Sequence, residues 1–286
     1  MNREKIALVV DTGCNIPIEM IKEYHMYVLP FKIMCNEKVY LDGVDITAEK
    51  VYEDLKSNKI STSIPNTDEI IDLFNHIKED GYEKVLMFTL SSQLSQLFNI
   101  ASEIAEDYTA LEIEVVDTLN VGIAAGLIAI QAAKYIEEEM DFEQIKESVS
   151  KNITKTKLFF CLDTLDYLEE SGRIGMVTPI VGTINYFMPI ISCNEEGTFY
   201  NANKGKGRKK AIEKMLDLAV QYASIGKKYH VALCYGTLDE EIIPVKEKLM
   251  QRFPRCDMYL KGEVGAALGV HTGAGVIGIA IQLLDD

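Results

Sequence analysis

The sequence predicts an α/β protein, because short apolar runs alternate with amphipathic segments along most of its 286 residues. Runs such as ALVV, VLMF and IEVV lack polar alternation. Strands of this kind are covered on both faces, as in a parallel sheet flanked by helices. The second half carries a hairpin signal around Glu195-Glu196-Gly197, which indicates an antiparallel element. We therefore expect a mostly parallel N-terminal sheet with flanking helices, followed by a mixed α/β C-terminal part.

Each predicted element follows from this alternation. The predicted strands are Lys5–Val10, Val28–Met34, Lys84–Leu90, Ile113–Asp117, Leu158–Leu162, Ile190–Cys193, His230–Tyr235 and Met258–Lys261. The predicted helices are Ile18–Tyr24, Ala48–Ser57, Thr67–Asp80, Gln96–Asp107, Val121–Glu139, Phe142–Lys151, Lys209–Ala223 and Glu241–Arg252. The third helix opens with Asn66 or Thr67 as its cap. The pattern loosens between Asp141 and Thr156, so we place a domain boundary near Lys155, giving domains 1–155 and 156–286.

Composition and charge indicate which partners are unfavourable and in which cellular compartment the protein is expected. A formal net charge of -15 opposes binding to nucleic acid or to an anionic membrane surface. The longest apolar stretch, Val121–Ala133, is too short to span a bilayer, so we expect no integral membrane contact. The N-terminus has no secretory layout, and the six cysteines form no C-x-x-C pair. We therefore expect reduced thiols in a cytoplasmic protein.

The common cofactor motifs are absent or out of context. The string GAGVIG, Gly273–Gly278, fits G-x-G-x-x-G, but too little chain follows it for a βαβ unit. The sequence has no P-loop and no G-x-S-x-G elbow. Four histidines without an H-x-x-x-H pair make a structural zinc site unexpected. We expect no metal and no cofactor.

Hydroxyl side chains collect where predicted strands end. Ser61-Thr62-Ser63 precede a helix, and Ser91-Ser92, with Ser95 one turn on, follow the third strand. Open α/β sheets bind ligands at this edge, and helix N-termini attract anions. These hydroxyls are helix caps, a catalytic nucleophile or a cradle for a small anion such as a carboxylate. The nucleophile alternative is an α/β serine hydrolase that pairs Ser91, Ser92 or Ser95 with His271, and its acid is chosen from the strand-end residues Asp11, Asp117 and Asp163.

Two further segments fit an anion at the same edge. Arg173 lies between glycines in LDYLEESGRIG, where it is poorly placed for a core and well placed to meet an anion. His271 lies in GVHTGAGVIGIAI, which we interpret as a glycine-rich turn that lets the backbone approach a ligand closely. The cluster NKGKGRKK, Asn203–Lys210, is either a solvated hairpin and helix start or a docking surface for an acidic partner.

Six blocks taken together resemble the DegV family of bacterial lipid-binding proteins, which includes the fatty-acid-binding subunits of bacterial fatty acid kinase. The blocks are VDTGCNIP, TSIP, LSSQLSQLF, VVDT, LDYLEESGRI and HTGAGVIG, in the family's order and rough spacing. In the second serine block, Gln96, Leu97 and Phe98 depart from the family pattern. Gln96 and Phe98 are therefore expected to change the shape of the pocket.

The resemblance implies a two-domain DegV-like fold that buries a long acyl chain, such as that of palmitate, between or inside the domains. It implies that Thr62, Ser63, Ser92 and Ser95 hold the ligand carboxylate, with His271 at the same end. It also implies that Arg173 lies at the pocket mouth and helps to present the acid to a separate ATP-dependent kinase, which makes an acyl phosphate. The chain itself is then a carrier and not an enzyme. A lipid-sensing interaction protein without a kinase partner remains an alternative.

Overall fold

The computed structural model describes residues 2–178, 187–237 and 240–285. The strands are β1 (Ile6–Asp11), β2 (Tyr27–Leu29), β3 (Lys32–Cys35), β4 (Lys38–Leu41), β5 (Ile60–Ser63), β6 (Lys84–Thr89), β7 (Glu112–Asp117), β8 (Thr156–Cys161), β9 (Phe187–Cys193), β10 (Phe199–Lys206), β11 (Tyr229–Tyr235), β12 (Met258–Glu263) and β13 (Ile277–Leu283). The helices are α1 (Ile18–Glu23), α2 (Ala48–Asp54), α3 (Thr67–Glu79), α4 (Leu97–Asp107), α5 (Ile123–Glu137), α6 (Phe142–Thr154), α7 (Asp166–Glu170), α8 (Gly207–Ala223), α9 (Ile242–Arg252) and α10 (Ala266–Thr272).

The first half is built on a parallel sheet in the order β2-β1-β6-β7. Every residue of β1 is buried, because its alternate side chains enter two different cores. Val9 packs with residues of α3 and α4, whereas Leu8 and Val10 pack with residues of α5 and α6. Burial on both faces explains why these strands show no polar alternation.

One predicted strand, Val28–Met34, is wrong as a single element. Its residues fall into β2 of the parallel sheet and β3 of a separate antiparallel sheet with the order β4-β3-β5. Pro30 lies between them. Proline lacks a backbone N–H, so it interrupts the ladder and allows the chain to change sheets. β5, which carries Thr62 and Ser63, belongs to this second sheet and was not predicted as a strand.

The second half is built on a six-stranded mixed sheet in the order β10-β9-β8-β13-β11-β12. The expected hairpin is present, since β9 and β10 pair antiparallel around Glu195–Gly197. α8 and α9 cover one face, and a core that includes residues of α5 covers the other. α5 therefore lies between the parallel sheet and the mixed sheet.

The final glycine-rich segment differs from its predicted form. His271 lies in the last turn of α10, and not in a glycine-rich turn. A turn over 273–276 follows, and then β13, a fully buried strand between β8 and β11. A Cβ at Gly278 would lie 2.8 Å from the sulfur of Cys234, so this glycine permits close packing inside the sheet and does not approach a ligand.

Residues up to Lys155 supply the first two sheets, and the six-stranded sheet begins at Thr156. α10 nevertheless packs on the N-terminal part, where Tyr52 of α2 lies against Gly269. The domain boundary near Lys155 stays a prediction. Among the helices that the structure describes, none has the combination of length and apolar character needed to cross a membrane.

Candidate functional site

An apolar cavity of about 410 Å³ lies between the two halves of the chain. The N-terminal half contributes apolar lining through Phe31, Ile64, Leu90, Leu94, Ile100 and Val121. The C-terminal half contributes Leu158, Phe160, Leu168, Phe199, Cys234, Val264, Ala267, Leu268 and Val276. Its size and lining are typical of a site for a mostly apolar small molecule.

Five of the six predicted site residues line this cavity: Thr62, Ser63, Ser95, Arg173 and His271. They come from four different places in the chain, namely β5, the turn before α4, the segment after α7, and the end of α10. Ser92 is not among the residues that line the cavity. The fold therefore gathers most of the predicted polar groups around one apolar chamber.

Thr62 and His271 form the polar centre of the site. Thr62 Oγ1 lies 2.8 Å from His271 Nε2, in a hydrogen bond between residues 209 positions apart in sequence. Burial and the nearby guanidinium of Arg173 lower the pKa of His271 from its usual value to about 4. The imidazole is therefore neutral at pH 7. Its Nδ1 atom is buried and has no hydrogen-bond partner among the described residues.

The three serines after β6 have three different roles in the structure. Ser91 is fully buried, and its hydroxyl donates to the carbonyl of Gly197 in the β9–β10 hairpin at 3.0 Å. The backbone N–H of Ser92 donates to Asp117 Oδ1 at 3.2 Å. Ser95 Oγ accepts from the N–H of Leu97 at 3.2 Å, so it supports the first turn of α4 while lining the cavity.

The geometry of a serine hydrolase is not present among the described residues. His271 is bonded to Thr62 and not to a serine. Its other ring nitrogen, Nδ1, has no hydrogen-bond partner among the described residues, so none of the candidate acids Asp11, Asp117 and Asp163 orients the imidazole. A triad needs a nucleophile on one ring nitrogen and an acid on the other. The site therefore supports binding better than acyl transfer.

Arg173 enters the lining from the segment after α7. Its Nη1 donates to the carbonyl of Ser171 at 2.6 Å, and its Nε lies 3.5 Å from the carbonyl of Leu94. Within residues 2–178, 187–237 and 240–285, no carboxylate forms an ion pair with it. The guanidinium is therefore hydrogen-bonded to neutral carbonyls, and its positive charge is available to pair with an anionic ligand.

Other chemistry has little support in the described part of the chain. No group of three or more His, Cys, Asp or Glu residues there is placed to hold a metal ion. The GAGVIG segment runs from the end of α10 to the start of β13. This order is opposite to that of a dinucleotide loop, which leads from a strand into a helix N-terminus. All six cysteines have free thiols, and five of them are buried.

Sequence reasoning missed most of the cavity wall. Phe160 and Phe199 form an edge-to-face pair whose ring centroids are 5.2 Å apart, and both line the cavity. Nothing in their local sequence separates them from ordinary core residues. Asn15, a polar member of the lining, was also missed. Its signal is weak, since asparagine after Asp-Thr-Gly-Cys predicts only a turn. Gln96, expected to affect the pocket, does line it.

The profile of the family described as "Uncharacterised protein, DegV family" matches residues 5–283 of this chain. The chain belongs to the DegV family. A DegV domain-containing protein of Clostridium perfringens is 33% identical over 279 residues, which cover 98% of this chain and 99% of that relative. The α/β fold predicted from the sequence is therefore the fold of this family, as two solved structures also show.

The first of these structures is DegV of Bacillus subtilis, described as a fatty acid binding protein. It is 25% identical, with a TM-score of 0.88, and the match covers 99% of this chain and 100% of that one. The second is a stearic-acid-binding protein of Eubacterium ventriosum, also 25% identical with a TM-score of 0.88. There the match covers 97% of this chain and 98% of the other. Both structures match over nearly their whole length.

Proposed function

We propose that this DegV-family protein binds a long-chain fatty acid, such as palmitate, in the cavity between its two halves. The observation that carries the proposal is the cavity itself, because mostly apolar side chains surround the polar groups of Thr62, Ser95 and His271. The proteins of Bacillus subtilis and Eubacterium ventriosum, which share the fold, are described as fatty-acid-binding. This shared property supports the same ligand class here.

The driving force is burial of the acyl chain. Each buried methylene contributes about 0.8 kcal/mol, so a palmitoyl chain gains roughly 10 kcal/mol before the cost of ordering it. A carboxylate buried without partners would lose several kcal/mol of this. A site of this kind therefore needs hydrogen-bond donors at one end of an apolar chamber.

We assign the carboxylate to the hydroxyls of Thr62, Ser63, Ser92 and Ser95 together with His271. The assignment of Ser92 rests on the family resemblance alone, since Ser92 does not line the cavity. His271 contributes through its neutral imidazole. If Nε2 accepts the proton of the Thr62 hydroxyl, Nδ1 carries the ring N–H, and a carboxylate oxygen is the partner that this buried atom otherwise lacks.

Presentation to a kinase is a second part of the proposal. Arg173 would hold the carboxylate end at the cavity mouth while a separate ATP-dependent kinase subunit transfers a phosphoryl group to it. The uncommitted charge of Arg173 supports this role, because it suits both a carboxylate and the acyl phosphate product. The carrier would contribute no catalysis of its own, and it would act in the cytoplasm.

The basic cluster Asn203–Lys210 is a candidate surface for that partner. Lys209 and Lys210 are exposed at the start of α8. Arg208 is committed elsewhere, since it pairs with Asp163 at 2.7 Å and Glu241 at 2.6 Å. We therefore assign the docking role to Lys209 and Lys210 and not to Arg208.

Mass spectrometry of lipid extracted from gently purified protein tests the binding proposal. We expect near-stoichiometric fatty acid in the wild type and a clear loss in a Thr62→Ala, Ser95→Ala double variant. The matched control is Thr109→Ala, Ser150→Ala, which removes one threonine and one serine hydroxyl from exposed positions. A folded wild type that carries no fatty acid and takes up none when it is supplied would refute the proposal.

A further inference from the structure

The cavity is separated from a second depression by a very thin wall. A groove of about 1100 Å³ lies behind the cavity, and Asn15 and Val264 line both of them. Where one residue borders both the cavity and the groove, no second layer of side chains lies between them. At this point the wall is therefore one residue thick.

This wall lies at the opposite end of α10 from the polar centre. Asn15 Oδ1 accepts a hydrogen bond of 3.3 Å from the N–H of Gly265, which caps the start of α10. His271 lies in the last turn of the same helix. Six residues at 1.5 Å each place the two ends about 9 Å apart along the helix axis, which is shorter than an extended palmitoyl chain, so an acyl chain that runs from one end to the other bends within the cavity.

The side-chain amide of Asn15 holds it in place in this wall through two hydrogen bonds. Its Nδ2 donates to the carbonyl of Thr12 at 2.9 Å, while its Oδ1 accepts from Gly265. Its backbone is left-handed, with φ of 46°. Glycine adopts this conformation more easily than other residues do, so Asn15→Gly removes the side chain without straining the backbone.

The charge of the groove determines which end of a fatty acid can face it. The groove is lined by several carboxylates, including Asp42, Asp45, Glu49 and Glu263, and its lining lysine, Lys50, is paired with Asp54 at 2.8 Å, so carboxylates dominate its charge. A cleft of one sign repels a ligand group of the same sign. A fatty carboxylate is therefore disfavoured near Asn15 and favoured near Arg173, so the uncharged methyl end is directed toward the wall.

We propose that Asn15 closes the acyl cavity at the methyl end and thereby sets the longest chain that the protein accepts. This inference rests on the proposed fatty-acid function and deepens it, by naming a residue that determines specificity. Removing the Asn15 side chain would join the cavity to the groove. A longer acyl chain could then extend through the opening while its head group stays at Thr62 and His271.

A competition experiment tests this role. Wild type, Asn15→Gly and the control Asn36→Gly are loaded with an equimolar mixture of palmitic, stearic, arachidic and behenic acids, and the bound acids are measured by native mass spectrometry. Asn36 is a matched control because it too is a left-handed asparagine, with φ of 49°, at an exposed turn away from the cavity. Each extra buried methylene multiplies affinity at most about fourfold.

We expect the ratio of bound arachidic to stearic acid to rise about tenfold in Asn15→Gly, for two added methylenes, and to stay unchanged in Asn36→Gly. An unchanged profile in a folded, loaded Asn15→Gly would overturn the role of Asn15 and leave the binding function intact. If Asn15→Gly does not fold, Val264→Ala opens the same wall from its other member, with the same expectation. A wild type that loads no acid would overturn both proposals.

Discussion

Replacing Thr62 by valine tests the head-group assignment most directly. Valine keeps the β-branched shape that suits β5 but exchanges the hydroxyl for a methyl group. The hydrogen bond of 2.8 Å to His271 Nε2 is then lost, and both ring nitrogens are left without a partner among the described residues. The Thr62 hydroxyl then no longer fixes the tautomer in which His271 Nδ1 carries the proton, so a bound carboxylate loses this ring N–H as a fixed donor at the same time.

The expected magnitudes follow from these two losses. A buried polar group left unsatisfied costs about 1–3 kcal/mol, which we expect as a decrease in the free energy of unfolding. A hydrogen bond to a charged group contributes about 1.5–3 kcal/mol. We therefore expect the affinity of Thr62→Val for palmitate to fall by a factor of roughly 10 to 100.

The assay is displacement of a fluorescent fatty acid, combined with urea unfolding of the ligand-free protein. Thr62→Ser is the matched control, because it retains the hydroxyl and should bind within a few-fold of wild type. Combined with His271→Gln, Thr62→Val should show non-additive losses, since the two residues share one hydrogen bond. Wild-type affinity in Thr62→Val, or strict additivity of the two changes, would refute the assignment.

Three other outcomes follow from the structure. The pKa of His230 is lowered to about 4 by burial and by Lys134, so its titration lowers the free energy of unfolding by up to about 3 kcal/mol as pH falls from 6.5 to 4. His271 titrates over the same range, so His230→Gln should reduce the slope of a urea-unfolding pH series there without abolishing it. Gly197→Ala should lower the melting temperature by several degrees, because φ is +83° and the new Cβ would lie 2.1 Å from the Ser91 hydroxyl. Gly43→Ala is the control for backbone strain alone, since φ there is +72° but no atom lies within 4 Å of the new Cβ. Arg173→Ala should retain fatty acid by mass spectrometry but slow phosphorylation by the kinase subunit, and loss of binding in a folded Arg173→Ala would contradict the presentation role.

The sequence alone was sufficient to predict those strands and helix ends that depend on residues close to them in the chain. The apolar runs of β1, β6 and β7 predicted a sheet covered on both faces, and the structure places them adjacent and parallel. Of the two caps predicted for α3, Asn66 and Thr67, the structure has Asn66, in a capping box with Glu69. These features depend on spacing over a few residues, so the pattern alone is sufficient.

Only the tertiary structure decided how distant segments meet. The polar residues were recognised from their motifs, but the contact of Thr62 with His271 exists because α10 returns across the N-terminal part, where Tyr52 packs on Gly269. β13 escaped prediction because the glycines at and before its start signal a turn locally, whereas in the sheet Gly278 allows close approach to neighbouring strands. The thin wall at Asn15 likewise depends on Gly265, 250 residues away in sequence. Such contacts are chosen by the packing of the whole chain, because no local pattern records which segment will lie opposite.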